Sequence, residues 1–268
     1  MRAFFILAVV SIVGLASSFG QKRNITEKDL WDFVWIGDPQ VSPDGSRVAF
    51  VRVTVNEKKE GYNTSIWTVA TSGSEEPHQL TKGDHDSSPR WSPDGKYLAF
   101  VRTSEKEGKP GDAQLSMLPM AGGDSFAFTD LPKGAGNPVW SPDGKTIAFT
   151  SEANPDDLAK QAKKKEKEEE LKKAVGAVSP AGSAAPSKAA TPANKEADEA
   201  AKKAEEESEH ESDVRVITRA VYREDNEGYT DPKHPTHIWT IQAPHNADEK
   251  VQPKQLTSGR FDEGAVIW

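Results

Sequence analysis

The sequence predicts an all-β fold, a partial β-propeller of about three blades and the start of a fourth, and three observations support this. A segment that contains Ser-Pro-Asp-Gly begins at Pro39, Pro89 and Pro138, so the copies are 50 and 49 residues apart. An apolar, alternating stretch follows each copy. Further short strand-like patterns complete each unit. Repeats of this length, rich in short strands, are typical of propeller blades.

Each repeat predicts four strands. In Ser-Pro-Asp-Gly, Pro presets φ, Asp bonds the local backbone and Gly closes the turn without a Cβ clash. The residues before this turn form a first strand, and those after it, such as 96–101, alternate as a second strand should. Third strands are predicted at 65–70, 114–118 and 237–241, and fourth strands at 79–81 and 255–257. Chance turns in a β-sandwich are the weaker interpretation, because three copies share their flanking residues.

Trp268 occupies the position that Trp91 and Trp140 have in their repeats. We therefore expect the sequence to reach the first strand of a fourth blade. Because propellers need at least about four blades to close, we also expect this chain to be a fragment of a longer protein.

Residues 1–20 are predicted to be a signal peptide. Arg2 gives a positive start, residues 3–15 are almost all apolar, and small residues follow. A retained membrane anchor is the alternative, although the run is shorter than the roughly 20 residues that span a bilayer. We expect a periplasmic or secreted protein that meets the membrane only through this export signal. The sequence has no Cys, which excludes disulfides and thiol catalysis.

Residues 21–38 are predicted to be an N-terminal segment with a short helix. Thr26 and Asp29 have the spacing of a capping box, which opens a helix. Leu30, Trp31 and Phe33 are expected to pack this helix on the propeller.

Composition narrows the choice of partners and cofactors. Hydrophobic residues make up 35% of the sequence, charged residues 28%, and the net charge is −8. This acidic balance argues against nucleic acid, whose phosphates need clustered Lys and Arg. We expect no cofactor.

A low-complexity insertion is predicted at residues 154–213. It contains Lys/Glu-rich and Ala/Pro/Ser-rich runs and no aromatic residue. We expect two transient helices and a flexible middle that bury almost no apolar surface. A coiled coil is the alternative, but no sustained apolar heptad is present. The insertion divides the propeller into residues 39–153, with blades one, two and the start of three, and residues 214–268, with the rest of blade three and the start of blade four.

Several segments resemble a known family. The opening Thr-x-x-Asp-Leu helix, the run 36–45, the segment 216–229 and the later His237-Ile238-Trp239 are similar to exported peptidases of the prolyl oligopeptidase family. The acylaminoacyl-peptidase and dipeptidyl-peptidase-like branch is the most similar. The resemblance covers residues 25–154 and 214–268, and Asn226 departs from it where such proteins often carry Gly. Tol-system propellers share the blade motif alone.

The resemblance implies that the propeller and a second domain have separate roles. In such peptidases the propeller gates access to a C-terminal α/β-hydrolase domain whose Ser, Asp and His triad cleaves peptide substrates. This sequence contains no Gly-x-Ser-x-Gly elbow, and Ser42, Ser92 and Ser141 lie in structural turns, so we assign no catalytic residue. A non-enzymatic, Tol-like propeller that binds other proteins is the alternative function.

One set of residues is a candidate substrate-binding site. Arg219, Tyr222 and Arg223 are expected on the rim that carries the loops between blades, where they would hold a peptide carboxylate or carbonyl. The alternative is that Tyr222 packs in an extra hairpin while both Arg side chains are solvated or paired with acidic neighbours. Arg52 and Arg102 end second strands on the same rim.

One loop has a weak metal-like pattern. The sequence Asp84-His85-Asp86 joins two blades, and solvated polar loops are far commoner than metal sites. We therefore predict no metal.

Overall fold

The computed structural model describes residues 23–106, 109–176, 223–224, 228–229, 234–264 and 266–268. Their longer strands form three antiparallel sheets of four strands each, which we call blades 1, 2 and 3. Within each blade the strands are arranged in chain order, so one sequence repeat builds one blade. The predicted all-β, partial propeller architecture is confirmed.

The helices and strands have the following bounds. Blade 1 contains β1 (Val34–Val41), β2 (Arg47–Val55), β3 (Tyr62–Ala70) and β4 (His78–Gln79). Blade 2 contains β5 (Asp86–Trp91), β6 (Tyr97–Arg102), β9 (Gln114–Pro119) and β10 (Phe126–Ala127). Blade 3 contains β11 (Gly136–Trp140), β12 (Thr146–Ser151), β15 (His237–Gln242) and β16 (Lys254–Gln255). Two short hairpins lie outside the blades, β7 (Glu105–Lys106) with β8 (Lys109–Pro110), and β13 (Arg223–Glu224) with β14 (Gly228–Tyr229). A 3₁₀ helix covers Glu27–Asp32, and the helix α1 covers Pro155–Gly176.

The three Ser-Pro-Asp-Gly turns share one side-chain network. In the first turn, the Ser42 hydroxyl donates to Asp44 Oδ1 at 2.6 Å and accepts from the Arg47 N–H at 3.0 Å. Gly45 closes the turn at φ +73°, in the left-handed region that favours glycine. The serines of the other two turns donate to their aspartates at the same 2.6 Å, namely Ser92 and Ser141. This network fixes the residue at which each second strand begins.

A bulge interrupts the first strand of each blade, one residue before the repeat's Pro. Asp38, Ser88 and Asn137 adopt positive φ values of 45°, 52° and 51°. At these points the register between first and second strands shifts. Short polar side chains tolerate this conformation better than β-branched ones, so a polar residue recurs at the bulge.

The apolar core lies between the blades. Successive side chains of a strand point to opposite faces of its sheet, so each blade offers one set of residues to each neighbour. Blades 1 and 2 meet through Ala49, Ile66, Leu98, Phe100 and Leu118. Blades 2 and 3 meet through a larger cluster that includes Ala99, Val101, Leu115, Met117, Ile147, Phe149, Trp239 and Ile241. Blade 2 is therefore covered on both faces.

A tryptophan clips each blade to the one before it. The indole N–H of Trp91 donates to the Gln40 carbonyl at 3.0 Å, and that of Trp140 donates to the Arg90 carbonyl at 3.0 Å. Each acceptor lies one residue before the equivalent position in the preceding blade. Trp268 makes the corresponding bond, to the Val139 carbonyl at 3.3 Å. This confirms that Trp268 is the counterpart of the other two; that the chain is a fragment stays a prediction.

A threonine closes the outer edge of each blade by accepting a backbone N–H from the third strand. The pairs are Thr81 with Ile66 at 3.0 Å, Thr129 with Leu115 at 2.8 Å and Thr257 with Ile238 at 2.9 Å. The sequence predicted two of these edges and missed the one in blade 2, where Phe128 replaces the Leu that precedes Thr in the others.

The predicted N-terminal helix is present as one 3₁₀ segment. The Thr26–Asp29 capping box forms as expected, with the Thr26 N–H donating to Asp29 Oδ2 at 2.6 Å. The expectation that this helix packs on the propeller is met only in part: Lys59 Nζ, between β2 and β3, lies 5.4 Å from the centre of the Trp31 ring, and Phe33 packs edge-on against Trp35 of β1. No residue of the helix is buried, and Leu30, Trp31 and Phe33 are 52%, 45% and 42% exposed.

Helix α1 is anchored to the blades at its start. Leu158 packs against the cluster between blades 2 and 3, and Gln161 Nε2 donates to the Asp130 carbonyl at 3.0 Å. Asp157 Oδ2 lies 3.1 Å from Nε2 of His234, a residue that precedes β15. The expectation that the insertion buries almost nothing is therefore wrong for the first turns of α1.

Much of the predicted insertion, from residue 177 onward, lies outside the described residues, as does the predicted signal peptide. In the part of the chain that the structure describes, no helix is both long enough and apolar enough to cross a bilayer.

Candidate functional site

The structure describes only a small part of the predicted substrate-binding site. Arg219 and Tyr222 lie outside the described residues. Arg223 belongs to the β13–β14 hairpin, where its backbone pairs with Tyr229, but its side chain also lies outside the described part. Their role in holding substrate stays a prediction.

Arg102 belongs to a buried ion pair. Its Nε and Nη2 atoms donate to the two carboxylate oxygens of Asp86 at 2.7 and 2.8 Å, and its Nη1 donates to Ser125 Oγ at 3.0 Å. The Asp86 side chain is fully buried, whereas that of Arg102 is 26% exposed. The hydrogen bond to Asp86 raises the pKa of Arg102. This fork-on-carboxylate geometry makes Arg102 a structural residue, so its substitution would perturb the fold as well as the rim.

Gly83 lies directly against this ion pair. A Cβ atom at position 83 would fall 2.5 Å from Asp86 Oδ1, a distance at which something must move. The absence of a side chain therefore allows the loop between blades 1 and 2 to cover the Asp86 carboxylate. Neither the pair nor this glycine was singled out from the sequence, although Asp86 and Arg102 face each other in the β5–β6 register.

Arg52, the equivalent of Arg102 in blade 1, has a different environment. Its guanidinium lies 4.7 Å from the centre of the Trp67 ring, and its register partner across the strands is Ile36 instead of an acid. Arg52 is therefore the better control for substitutions on this rim.

The Asp84-His85-Asp86 loop is committed to other contacts. Asp86 is bound to Arg102, and His85 Nε2 lies 3.8 Å from Glu105 Oε1. Within the described ranges, no group of three or more His, Cys, Asp or Glu side chains is placed to hold a metal ion.

The opposite rim, which carries the Ser-Pro-Asp-Gly turns, has a groove between each pair of blades. The blade 1–2 groove encloses about 720 Å³ and the blade 2–3 groove about 400 Å³. The turns of both flanking blades form the walls: a Cβ at Gly95 would lie 3.8 Å from Pro43, and one at Gly144 would lie 3.6 Å from Pro93. The clip residues Trp91 and Trp140 line the two grooves.

The turn aspartates make this rim acidic. The hydrogen bond from Ser42, followed by that from the Ser46 N–H, lowers the pKa of Asp44 to about 2. Bonds from Ser92 and Ser141 likewise lower the pKa of Asp94 and of Asp143. All three carboxylates are therefore charged at neutral pH.

The turn serines are not poised for catalysis. Ser42 Oγ donates to Asp44, whose pKa of about 2 makes that carboxylate too weak a base to activate the hydroxyl. The described rims instead offer carboxylates, a guanidinium and aromatic rings. Such groups can bind a ligand.

A contact between His237 and Glu263 was also missed from the sequence. His237, a buried residue, has its Nδ1 3.1 Å from Glu263 Oε2, and Thr257 Oγ1 also donates to that oxygen. The bond from Thr257, and then the one with His237, lowers the pKa of Glu263. The cluster ties the segment after β16 back to β15. No local sequence pattern indicates it, because the partners are 26 residues apart.

Comparison with protein families matches residues 12–191 to the family described as "TolB beta propeller domain", PD40. The chain is also similar to a curated protein of Bacillus subtilis (strain 168) described as "Uncharacterized peptidase YuxL". The two are 39% identical over 116 residues, which are 42% of this chain and 17% of the relative.

The chain is also similar to solved structures of a peptidase and of a TolB protein. Acylaminoacyl peptidase from Pyrococcus horikoshii is 14% identical with a TM-score of 0.49, over 87% of this chain and 27% of that one. TolB from Acinetobacter baumannii is 23% identical with a TM-score of 0.35, over 44% of this chain and 27% of that one. The family match and the peptidase relative confirm the resemblance to peptidase and Tol-system propellers that was stated from the sequence.

Proposed function

The chain belongs to the TolB beta propeller family, and on that premise we propose that it forms the propeller part of an exported serine peptidase acting on peptides. The observation that carries the proposal is the 39% identity, over 116 residues, with a protein described as a peptidase. Because that match covers 17% of the relative's length, the activity of the whole protein belongs to the proposal as well.

In this function the propeller controls access and a partner domain does the chemistry. A C-terminal α/β-hydrolase domain of the same protein supplies the Ser, Asp and His triad, which transfers the acyl group of a peptide to water. Blades that are clipped by Trp91 and Trp140 form a rigid wall that admits short peptides and excludes folded proteins. Export to the periplasm or outside the cell, directed by residues 1–20, is part of the same proposal.

A non-enzymatic propeller that binds other proteins is the second candidate. It is favoured by the family match itself, since that family is described by the name TolB and covers residues 12–191. The two functions differ in whether a hydrolase domain accompanies the blades.

The test compares the product of the complete gene with this chain alone. We expect the complete protein to react with a serine-directed fluorophosphonate and to hydrolyse chromogenic peptides, while this chain does neither. A complete protein that contains further blades but no Gly-x-Ser-x-Gly elbow, and that resists the fluorophosphonate, would support the protein-binding alternative instead.

The proposed substrate contacts have their own test in the complete protein. Replacing Arg219 or Arg223 with Ala removes charge-assisted hydrogen bonds of roughly 1.5–3 kcal/mol each. We expect kcat/KM on peptides to fall about tenfold to a hundredfold. Arg52→Ala is the matched control and is expected to leave kcat/KM nearly unchanged. Unchanged kinetics for both rim variants would remove this site, and equal losses for all three would indicate general electrostatics.

A further inference from the structure

The blade 1–2 groove has an apolar floor. Leu80 and Met120 pack on the cluster between the blades and line the groove, and Trp91 lies beside them. Because the Trp91 N–H is already bound to the Gln40 carbonyl, the indole ring is held in place. A ligand that fits this floor brings aliphatic surface to it.

The mouth of the same groove is acidic. Asp44, Glu75 and Asp94 line it, and Arg47 is the one Lys or Arg side chain among the lining residues. Arg47 Nη2 lies 3.0 Å from Glu75 Oε2, but the Glu75 side chain is 51% exposed and the contact is a weak surface pair. Asp94 has a similarly exposed partner, Lys96, at 3.4 Å. The mouth thus has more carboxylates than cations. Its two ion pairs, Arg47–Glu75 and Lys96–Asp94, are weak enough for an incoming cation to replace Arg47 or Lys96.

In the blade 2–3 groove, a different side chain occupies the position that is equivalent to Arg47. Tyr97 stands there in place of Arg47, and its ring packs edge-on against His245 at 5.7 Å. Tyr97 and His245 both line this groove, whose volume is about 400 Å³. The mouth has two turn carboxylates and Lys145, so it lacks the third acid of the blade 1–2 groove.

We propose that the blade 1–2 groove binds an Arg or Lys side chain of a peptide or protein partner. Such a side chain combines an aliphatic stem, which matches Leu80, Met120 and Trp91, with a cationic head, which matches the carboxylates at the mouth. The head is attracted further by the aromatic face of Trp91 and by the net charge of −8 of the whole chain. The binding needs no catalytic step, so it stands independently of the proposed peptidase function.

The test uses fluorescence anisotropy with a blocked, fluorescein-labelled tripeptide, Ala-Arg-Leu, and a counterpart with Glu in place of Arg. Glu75→Gln removes one carboxylate from the mouth. Glu249→Gln is the matched control, because Glu249 lies 3.5 Å from His245 Nδ1 beside the other groove and loses the same charge. Both positions are exposed, so melting temperatures are expected to stay constant and to show that the fold is intact.

We expect the Arg peptide to bind the wild type and to bind Glu75→Gln about three- to fivefold more weakly. Glu249→Gln is expected to change affinity less than about twofold, and binding should weaken between about 20 and about 200 mM salt. Equal losses in both variants would overturn the proposal in favour of non-specific attraction. Equal binding of the Glu peptide, or no binding at about 1 mM, would also overturn it.

Discussion

Blades 1 and 2 are built from the same repeat but have different surroundings. Blade 2 packs on a neighbour at each face, and Leu98, Ala99 and Phe100 of β6 are completely buried. Blade 1 packs on blade 2 alone among the described blades, and on its other face Ile36 and Val41 are 67% and 62% exposed. The repeat therefore determines the shape of a blade, while its neighbours determine what is buried.

The equivalent arginines of the two blades, Arg52 and Arg102, show the same difference. Phe100 faces blade 1, and Arg102 lies two residues further on the same face, so blade 1 helps to enclose its ion pair with Asp86. Arg52 follows Phe50 in the same way, but on the face of blade 1 that points away from blade 2, where it stacks on Trp67. Position in the repeat thus does not predict the energetic role of an arginine.

The largest expected effect separates these two arginines. Arg102→Ala leaves the buried Asp86 carboxylate without its partner, and the free energy of unfolding is expected to fall by about 3–5 kcal/mol. Arg52→Ala removes a cation–π contact at a partly exposed site and is expected to cost about 0.5–1 kcal/mol. Chemical denaturation of both variants measures the difference, and equal losses would contradict the comparison.

Glycine substitutions give the next largest effect. Gly83→Ala forces a Cβ against the Asp86 carboxylate and is expected to cost about 1–3 kcal/mol. At Gly37, in blade 1, a Cβ meets nothing within 4 Å, so Gly37→Ala is expected to change stability by less than about 0.5 kcal/mol. A stable Gly83→Ala protein would show that the loop moves away from the ion pair without cost.

The tryptophan clips give a smaller contrast. Trp140→Phe keeps most of the ring but leaves the Arg90 carbonyl without its donor, for an expected loss of about 1 kcal/mol. Trp268→Phe removes a longer bond from a residue that is 52% exposed, so its effect is expected to be less than about half as large. Melting temperatures of the two variants decide the order, and a larger loss at Trp268 would reverse it.

The turn aspartates are expected to make stability sensitive to acid. Bonds in the native turn lower the pKa of Asp44 from its usual 3.8 to about 2. A carboxyl group whose pKa is lowered by folding stabilises the protein above its unfolded pKa, and this stabilisation is lost as the pH falls through the folded value. The melting temperature of the wild type should therefore exceed that of Asp44→Asn at pH 7. This excess should shrink between about pH 4 and about pH 2, whereas a constant difference across that range would contradict the assignment.

The sequence alone predicts the blades well because each turn and strand depends on residues close together. Ser-Pro-Asp-Gly encodes its own hydrogen bonds, and Trp268 was matched to Trp91 from its place in the repeat. It does not predict contacts between distant residues. The exposure of Trp31 depends on which surfaces lie around it, and the anchoring of Leu158 depends on a cluster built by blades 2 and 3.

The grooves were missed for a similar reason. Each has walls from two successive repeats, and the first residue of a second strand, Arg47 in one groove and Tyr97 in the other, lines it together with residues of the next repeat. The sequence of a single repeat therefore does not show which side chains line a groove. Comparing the side chains that face each other across neighbouring repeats would have drawn attention to this position.

Amide hydrogen exchange across the chain tests the central claim most directly. If neighbouring blades determine stability, the amides of β6 and β9 in blade 2 should exchange most slowly, and those of β1 and β2 in blade 1 should exchange faster. Mass spectrometry of peptic fragments from each blade gives both rates in one experiment. Exchange in blade 1 that is as slow as in blade 2 would contradict the account, because it would mean that each repeat is stable without a second neighbour.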